Sequence, residues 1–134
     1  MQDLITVSVF AQNHSKGRNV VLCGMGRAGL WSLLAAPAVD AVVADCDSLE
    51  TASDNAWLEQ DLFVPGIRKI GGFEGVAALA TPHPVLLHNT GEKFSTVWLN
   101  EVYGNLKTAK ALRRESARLD DETIVNWIAQ LKLE

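Results

Sequence analysis

The chain of 134 residues is long enough to bury one hydrophobic core and too short for two, so residues 1–134 are expected to form a single domain. Its 12 basic and 16 acidic side chains are scattered and give a net charge of −4, which disfavours nucleic acid and anionic membranes as partners. The apolar stretches are shorter than the ~20 residues that cross a bilayer, and no signal-peptide pattern opens the chain. These features together predict a cytoplasmic protein.

Residues 3–13 are compatible with either of two elements. Ile5, Val7 and Val9 alternate with more polar neighbours, and this period of two favours a strand. One face of a helix would instead carry Leu4, Val7, Phe10 and Ala11. The local pattern alone favours the strand.

The next segment alternates strands with helices. Asn19 to Cys23 is rich in Val and Leu, which is typical of a strand buried on both faces. Arg27 to Ala36 consists of good helix formers and is stopped by Pro37, and Ala41 to Ala44 predicts a second buried strand. Cys23 and Cys46 each lie at the end of one of these apolar runs and are expected to be free, buried, apolar side chains.

The remaining elements continue the same alternation. They are short helices at 56–62 and 73–80, a strand at Val85 to His88, a helix from Phe94 to Tyr103 ended by Gly104, and a polar edge strand at Lys110 to Arg114. A last helix is capped by Asp120, and its apolar stripe consists of Ile124, Trp127, Ile128 and Leu131. Alternation of this kind predicts a mostly parallel sheet of about four strands within a three-layer α/β sandwich.

Three glycines follow the first of these strands in the pattern G-x-G-x-x-G. In a dinucleotide-binding turn, the backbone amides approach the pyrophosphate at the start of a helix, and an acidic residue about 20 positions later meets the ribose. Gly24, Gly26, Gly29 and Asp45 fit that spacing, since Asp45 follows Gly24 by 45 − 24 = 21 positions. This pattern indicates a small dinucleotide- or phosphate-binding domain as one alternative.

A nucleophile elbow, G-x-S-x-G, has nearly the same anatomy, because it too is a sharp strand-to-helix turn flanked by small residues. The stretch Gly24-Met25-Gly26-Arg27-Ala28 occupies that frame. The nucleophile position would then be Gly26, which has no side chain to attack a substrate.

Several longer segments favour the elbow. They are "DLITVSVFA", "NVVLCGMGRAGLWSLLAAPAVDAVVAD", "VPGIRKIGGFEGVAALATPHPVLLHNTG" and "IVNWIAQL". In their order and spacing they resemble the carboxyl-terminal half of α/β-hydrolases of the dienelactone-hydrolase and acetyl-xylan-esterase kind, and the resemblance covers most of the chain. It implies half of an α/β-hydrolase fold, in which residues 3–13 form the helix before the elbow strand.

The catalytic groups that the resemblance would require are mostly missing. Such hydrolases use a nucleophile at the elbow, an acid after a later strand and a histidine after the last strand. Here Gly26 replaces the nucleophile, Glu92 is the one candidate for the acid, and no histidine follows His88. His83 and His88 are interpreted as ordinary loop and strand-end histidines, so no catalytic residue, metal or cofactor is expected.

The resemblance also implies an unpaired strand edge. Without the amino-terminal half of the sheet, the normally central strand Asn19 to Cys23 becomes an edge, which favours a homodimer or a partner subunit joined there or through adjacent helices. The leading hypothesis is therefore a non-catalytic half-domain that acts as an interaction or accessory module. The alternatives are the nucleotide-binding domain and an esterase-like hydrolase completed by a partner chain.

Overall fold

The computed structural model describes residues 2–133, and its centre is a four-stranded, entirely parallel sheet. The strands lie in the order β1-β2-β3-β4, which is their order along the chain. Their bounds are Val21–Gly24 for β1, Ala41–Asp45 for β2, Val85–His88 for β3 and Leu112–Arg114 for β4. The sheet confirms the predicted parallel α/β architecture.

Five α-helices accompany the sheet: α1 (Gln2–His14), α2 (Arg27–Leu34), α3 (Gly72–Ala78), α4 (Val97–Asn105) and α5 (Asp121–Gln130). Shorter 3-10 turns occupy Ala36–Ala38, Asn55–Leu58, Ile67–Ile70 and Ala109–Ala111. The predicted short helix at 56–62 is thus a single 3-10 turn. Asp120 caps α5 as expected, because its Oδ1 accepts the Thr123 N–H at 2.7 Å.

The larger hydrophobic core lies between one face of the sheet and the helices α2, α3 and α4. Alternate strand residues supply the sheet side of this core, since successive side chains of a strand point to opposite faces. Its fully buried members include Leu30 and Leu33 of α2, Phe73 of α3 and Leu99 and Tyr103 of α4. This core makes α2 an integral part of the fold, and α2 is the helix that follows the glycine turn.

The other face of the sheet is covered by α5. Val43, Leu86 and Ile124 are buried there, and Trp127 and Ile128 pack against them. Burying apolar side chains on both faces of the sheet completes the three layers predicted from the sequence. Leu131 of the predicted stripe lies just beyond the end of the helix.

The first element is a helix, so the strand favoured by local propensity is wrong. The helix turns a different face inward from the one predicted: Ser8 is buried, whereas Val7 and Phe10 are 64% and 60% exposed. Leu4 is partly buried on the inner side, where it lines a groove with β1 and α2. The helix therefore carries apolar side chains on both its inner and its outer side.

Several boundaries differ from the sequence prediction, among them the start of α4 at Val97 rather than Phe94 and the start of β4 at Leu112 rather than Lys110. The first strand begins at Val21 rather than Asn19 and runs through Gly24 into the turn. Gly104 does not end α4, which continues to Asn105, and the positive φ of 58° that follows the helix is adopted by Lys107. Lysine here occupies a conformation for which glycine is usual, so composition alone misplaces the helix end.

Both edges of the sheet are as expected, with β1 at one and β4 at the other. Cys46 is a buried free cysteine, whereas the prediction that Cys23 is buried is wrong, because its side chain is exposed. Cys23 lies on the edge strand β1, whereas α5 covers that face of the sheet mainly over β2 and β3.

Within residues 2–133, no helix is long and apolar enough to cross a membrane.

Candidate functional site

The glycine turn is a sharp reversal between β1 and α2 at the carboxyl edge of the sheet. At its apex Gly26 has φ 54° and ψ −140°, a conformation that residues with a side chain rarely adopt. The Gly29 N–H donates to Gly26 O at 2.9 Å and the Ala28 N–H donates to Met25 O at 3.2 Å, which starts the helix immediately. A Cβ at position 26 would meet nothing within 4 Å, so the apex faces open space.

The flanking glycines allow backbones to approach closely. A Cβ on Gly24 would lie 2.4 Å from Ala28 O, and one on Gly29 would lie 2.0 Å from Asp45 O. These separations are far inside van der Waals contact, so neither position has room for a side chain. Gly24 closes the turn on itself, and Gly29 lets α2 pack directly on the end of β2.

Asp45 fixes the turn from the neighbouring strand. Its carboxylate is almost completely buried, with 1% of the side chain exposed. Oδ2 accepts the Gly26 N–H at 3.1 Å, while Oδ1 accepts the Asp47 N–H at 2.9 Å and the Asn89 side-chain amide at 2.7 Å. Both oxygens are therefore committed to groups of the protein itself.

The guanidinium of Arg118 adds a cation to this cluster, with Nε 3.6 Å from Asp45 Oδ2. Burial alone would raise the pKa of Asp45, but the hydrogen bonds from Asp47, Asn89 and Gly26 outweigh it and lower that pKa below its usual value. Asp45 thus stays ionised and holds the apex amide.

Arg27 follows the apex and is held by three carboxylates. Its Nε donates to Asp47 at 3.0 Å, and its Nη1 contacts Glu59 and, at 3.3 Å, Asp61. Trp31 of α2 donates its indole N–H to Asp61 O at 2.8 Å, which ties the same loop to the helix. This network fastens the 59–61 loop beside the turn rather than leaving Arg27 for an anion.

The electrostatics of the turn are acidic. The carboxylates of four residues, Asp45, Asp47, Glu59 and Asp61, lie around it, against the guanidinium groups of Arg27 and Arg118. A phosphate would therefore meet a net negative surround, and the Gly26 amide, which could have bound it, already donates to Asp45. The geometry disfavours anion binding at this turn.

His88 lies beside Asp45, since the two residues are register partners in β3 and β2. Its side chain is fully buried, and Nδ1 accepts the Leu119 N–H at 3.2 Å, which places the proton on Nε2. Among the side chains that the structure describes, Nε2 is the one buried nitrogen or oxygen without a hydrogen-bond partner. Burial lowers the pKa of His88, Asp45 acts against this and Arg118 adds to it.

We expect His88 to make the folded protein sensitive to mild acid. The lowered pKa means that the unfolded chain takes up a proton near pH 6.5 while the folded chain does not, so the free energy of unfolding falls as the pH drops below about 6.5. His88→Gln removes this titration and can still accept the Leu119 N–H. Urea titrations from pH 8 to 5 should show a smaller pH dependence for His88→Gln than for the wild type, whereas His83→Gln, at an exposed loop position, should match the wild type.

The structure brings most of the predicted site residues together, but not all. Gly24, Met25, Gly26, Arg27 and Gly29 form the turn, and Asp45 contacts it directly. Glu92 is exposed in the loop after β3, and no hydrogen bond or ion pair links it to the turn within the described residues. It is not placed as a catalytic acid beside Gly26.

Sequence reasoning missed Asn89 and Arg118. Asn89 has a positive φ of 54°, which turns its side chain back toward Asp45, and this conformation leaves no mark in the sequence beyond the Asn itself. Arg118 is brought in by the chain that returns after β4, so nothing at short range indicates its pairing with Asp45.

Neither metal ligation nor similarity to a known protein identifies the site further. The described part of the chain contains no group of three or more His, Cys, Asp or Glu side chains arranged to hold a metal ion. Comparison with protein-family models, curated proteins and solved structures finds no match to this chain.

Proposed function

We propose that this chain is a non-catalytic half-domain of α/β-hydrolase type that acts as an interaction module. The observation that carries the proposal is Gly26, which holds the strained apex conformation of an elbow but presents no side chain to the open space in front of it. An elbow positions a nucleophile by this strain. In this chain the turn is kept while its chemical group is absent.

The surroundings of the apex support the absence of covalent catalysis. The nearest buried histidine, His88, has its Nδ1 engaged by Leu119, and its pKa is lowered by burial. The exposed thiol of Cys23 lies three residues before the apex, and partial burial raises its pKa, which disfavours the reactive thiolate. Neither group provides the activated nucleophile and base of a hydrolase.

The sheet order supports the half-domain part of the proposal. The strand before the turn is β1, which pairs with β2 on one side and forms the edge of the described sheet on the other. The resemblance to α/β-hydrolases implies this position for the elbow strand when the preceding half of the sheet is missing. The same edge offers the surface on which a partner would dock.

The two alternatives are less well supported by the geometry. A dinucleotide would need Asp45 free for its ribose and the turn amides free for its phosphates, but Asp45 is buried and bound to the Gly26 amide. A partner chain could restore missing parts of a hydrolase, but it would still face an apex without a nucleophile. We therefore favour the interaction module over both.

Hydrolysis of p-nitrophenyl acetate tests the proposal. We expect no sustained turnover above the buffer rate, because no activated nucleophile lies at the apex. Cys23→Ser serves as a control that removes any single-turnover acylation of the exposed thiol. Sustained turnover in Cys23→Ser that is lost in Gly26→Ala would overturn the proposal, because it would place catalysis at the turn.

A further inference from the structure

We infer that the edge strand β1 binds a second copy of this chain, in antiparallel orientation about a two-fold axis perpendicular to the sheet. The inference rests on the proposed function, which it deepens by naming the partner. It depends on three features near the edge: the free backbone of β1, the outer face of α1 and the charges at the two ends of α1.

The backbone groups that face outward can be assigned from the parallel ladder. The Val42 N–H donates to Pro84 O at 3.0 Å, so Val42 directs its backbone toward β3. Its register partner Leu22 therefore makes the bonds from β1 to β2. Since backbone groups alternate along a strand, Val21 and Cys23 present their N–H and C=O groups to the open edge.

This edge carries none of the side chains that usually discourage pairing. Natural edge strands are blunted by charges, prolines or bulges, and Val21–Gly24 carries neither a charge nor a proline. Beside it, α1, β1 and α2 border a groove of about 340 Å³, lined among others by Leu4, Leu22, Cys23 and Trp31. The helix α1 thus borders the edge rather than sealing it.

The outer face of α1, the helix that borders this edge, carries exposed apolar side chains. Val7 and Phe10 are more than half exposed although they are one turn apart on the same side of the helix. A two-fold axis beside β1 would place α1 against the same helix of the partner in antiparallel orientation, because α1 flanks the edge strand. Contact between the two α1 helices would bury Val7 and Phe10 of both copies.

The charges at the two ends of α1 are complementary when a two-fold axis relates one copy of the chain to the other. Asp3 lies in the first turn of α1, whereas Lys16 and Arg18 lie in the segment between α1 and β1, and all three are exposed. Antiparallel pairing brings the acidic end of one copy to the basic end of the other, twice. A parallel arrangement would instead place like charges together, so the charges select a second copy in antiparallel orientation.

Pairing through the strand residues fixes the register. With Leu22 on the axis, Val21 lies opposite the partner's Cys23, and each such pair exchanges two hydrogen bonds. The Cα atom of Cys23 then lies roughly 8 Å from that of the partner's Cys23, too far for a disulfide but within reach of a short bismaleimide. Cys46 is buried and does not compete for the reagent.

Sedimentation velocity tests the inference, with Cys23→Lys as the edge variant and Leu106→Lys as the matched control. Both changes put a lysine at an exposed position, but Leu106 lies at the end of α4, away from β1. We expect dimers at micromolar concentration for the wild type and for Leu106→Lys, and a dissociation constant at least about tenfold weaker for Cys23→Lys.

Cross-linking with a short bismaleimide supplies the second measurement. The wild type should give a covalent dimer and Cys23→Ser none. A monomeric wild type, a Cys23→Lys variant that dimerises as tightly as the wild type, open-ended oligomers, or a dimer that the reagent does not link would each overturn the inference. A monomer without esterase turnover would leave the proposed function standing with a different partner.

Discussion

Replacing Gly29 with alanine is expected to destabilise the protein by at least about 3 kcal/mol, a large part of the ~5–15 kcal/mol that stabilises a typical domain. The added Cβ would lie 2.0 Å from Asp45 O and 2.4 Å from Asp45 N. Both atoms belong to the backbone of β2, so no side chain can move aside. Either α2 or the end of the strand must be displaced, and the turn is lost with it. Urea denaturation followed by circular dichroism measures the effect.

Two other glycines provide matched controls with the same substitution. The Cβ of Gly26→Ala would meet nothing within 4 Å, so this variant should lose only the cost of the strained backbone at φ 54° and ψ −140°, about 1–3 kcal/mol. Gly104→Ala lies inside α4 with open space around it, and should stabilise the protein by about 0.5–1 kcal/mol. Equal losses for Gly29→Ala and Gly26→Ala would contradict the close packing of α2 on β2.

Removal of the Asp45 carboxylate is expected to have the second large effect. Asp45→Ala should cost about 3–5 kcal/mol, because it leaves the Gly26 and Asp47 amides and the Asn89 side chain without their acceptor inside the protein. Asp47→Asn is the control, since the Asp47 carboxylate is exposed and bonds to Arg27 at the surface, and asparagine tolerates the positive φ of 50° at this position. Its loss should stay below about 1 kcal/mol. Comparable losses for the two variants would show that Asp45 does not hold the turn.

The pH dependence of stability gives an independent readout of Asp45. Because its folded pKa is lowered, its contribution is fully present above the usual aspartate pKa of about 4 and is lost as the pH falls through the lower folded value. Asp45→Asn should therefore lose part of the wild type's decline in unfolding free energy below pH 4. An unchanged decline would mean that this carboxylate is not preferentially ionised in the folded state.

The sequence predicts the architecture well because strand and helix periodicities are local. The strand Val85–His88 matches its predicted bounds at both ends, and Asp120 indicates where α5 begins. The first helix could be predicted only from the family resemblance, since the alternation of Ile5, Val7 and Val9 favours a strand. Its inward face is decided by tertiary packing, which a propensity does not encode.

The sequence predicts the tight turn of the candidate site but not the hydrogen bonds that its backbone amides make. A glycine pattern after an apolar run indicates a tight turn, but it does not tell whether the amides of that turn are free. The Asp45 spacing fits a ribose contact equally well, whereas in the structure the Asp45 carboxylate accepts the Gly26 N–H. That bond, like the contacts of Asn89 and Arg118, depends on strand register and on distant chain segments.

In the proposed function, the turn at Gly24–Gly29 is an elbow kept for its structure, with no ligand of its own. A titration of the backbone amide resonances of Gly26, Arg27 and Gly29 with NADH and with inorganic phosphate tests this most directly. We predict no saturable shift of these amides at millimolar ligand, because the apex amide is held by Asp45 and the surroundings are acidic. Saturable shifts confined to the turn would contradict the claim and restore the nucleotide-binding alternative.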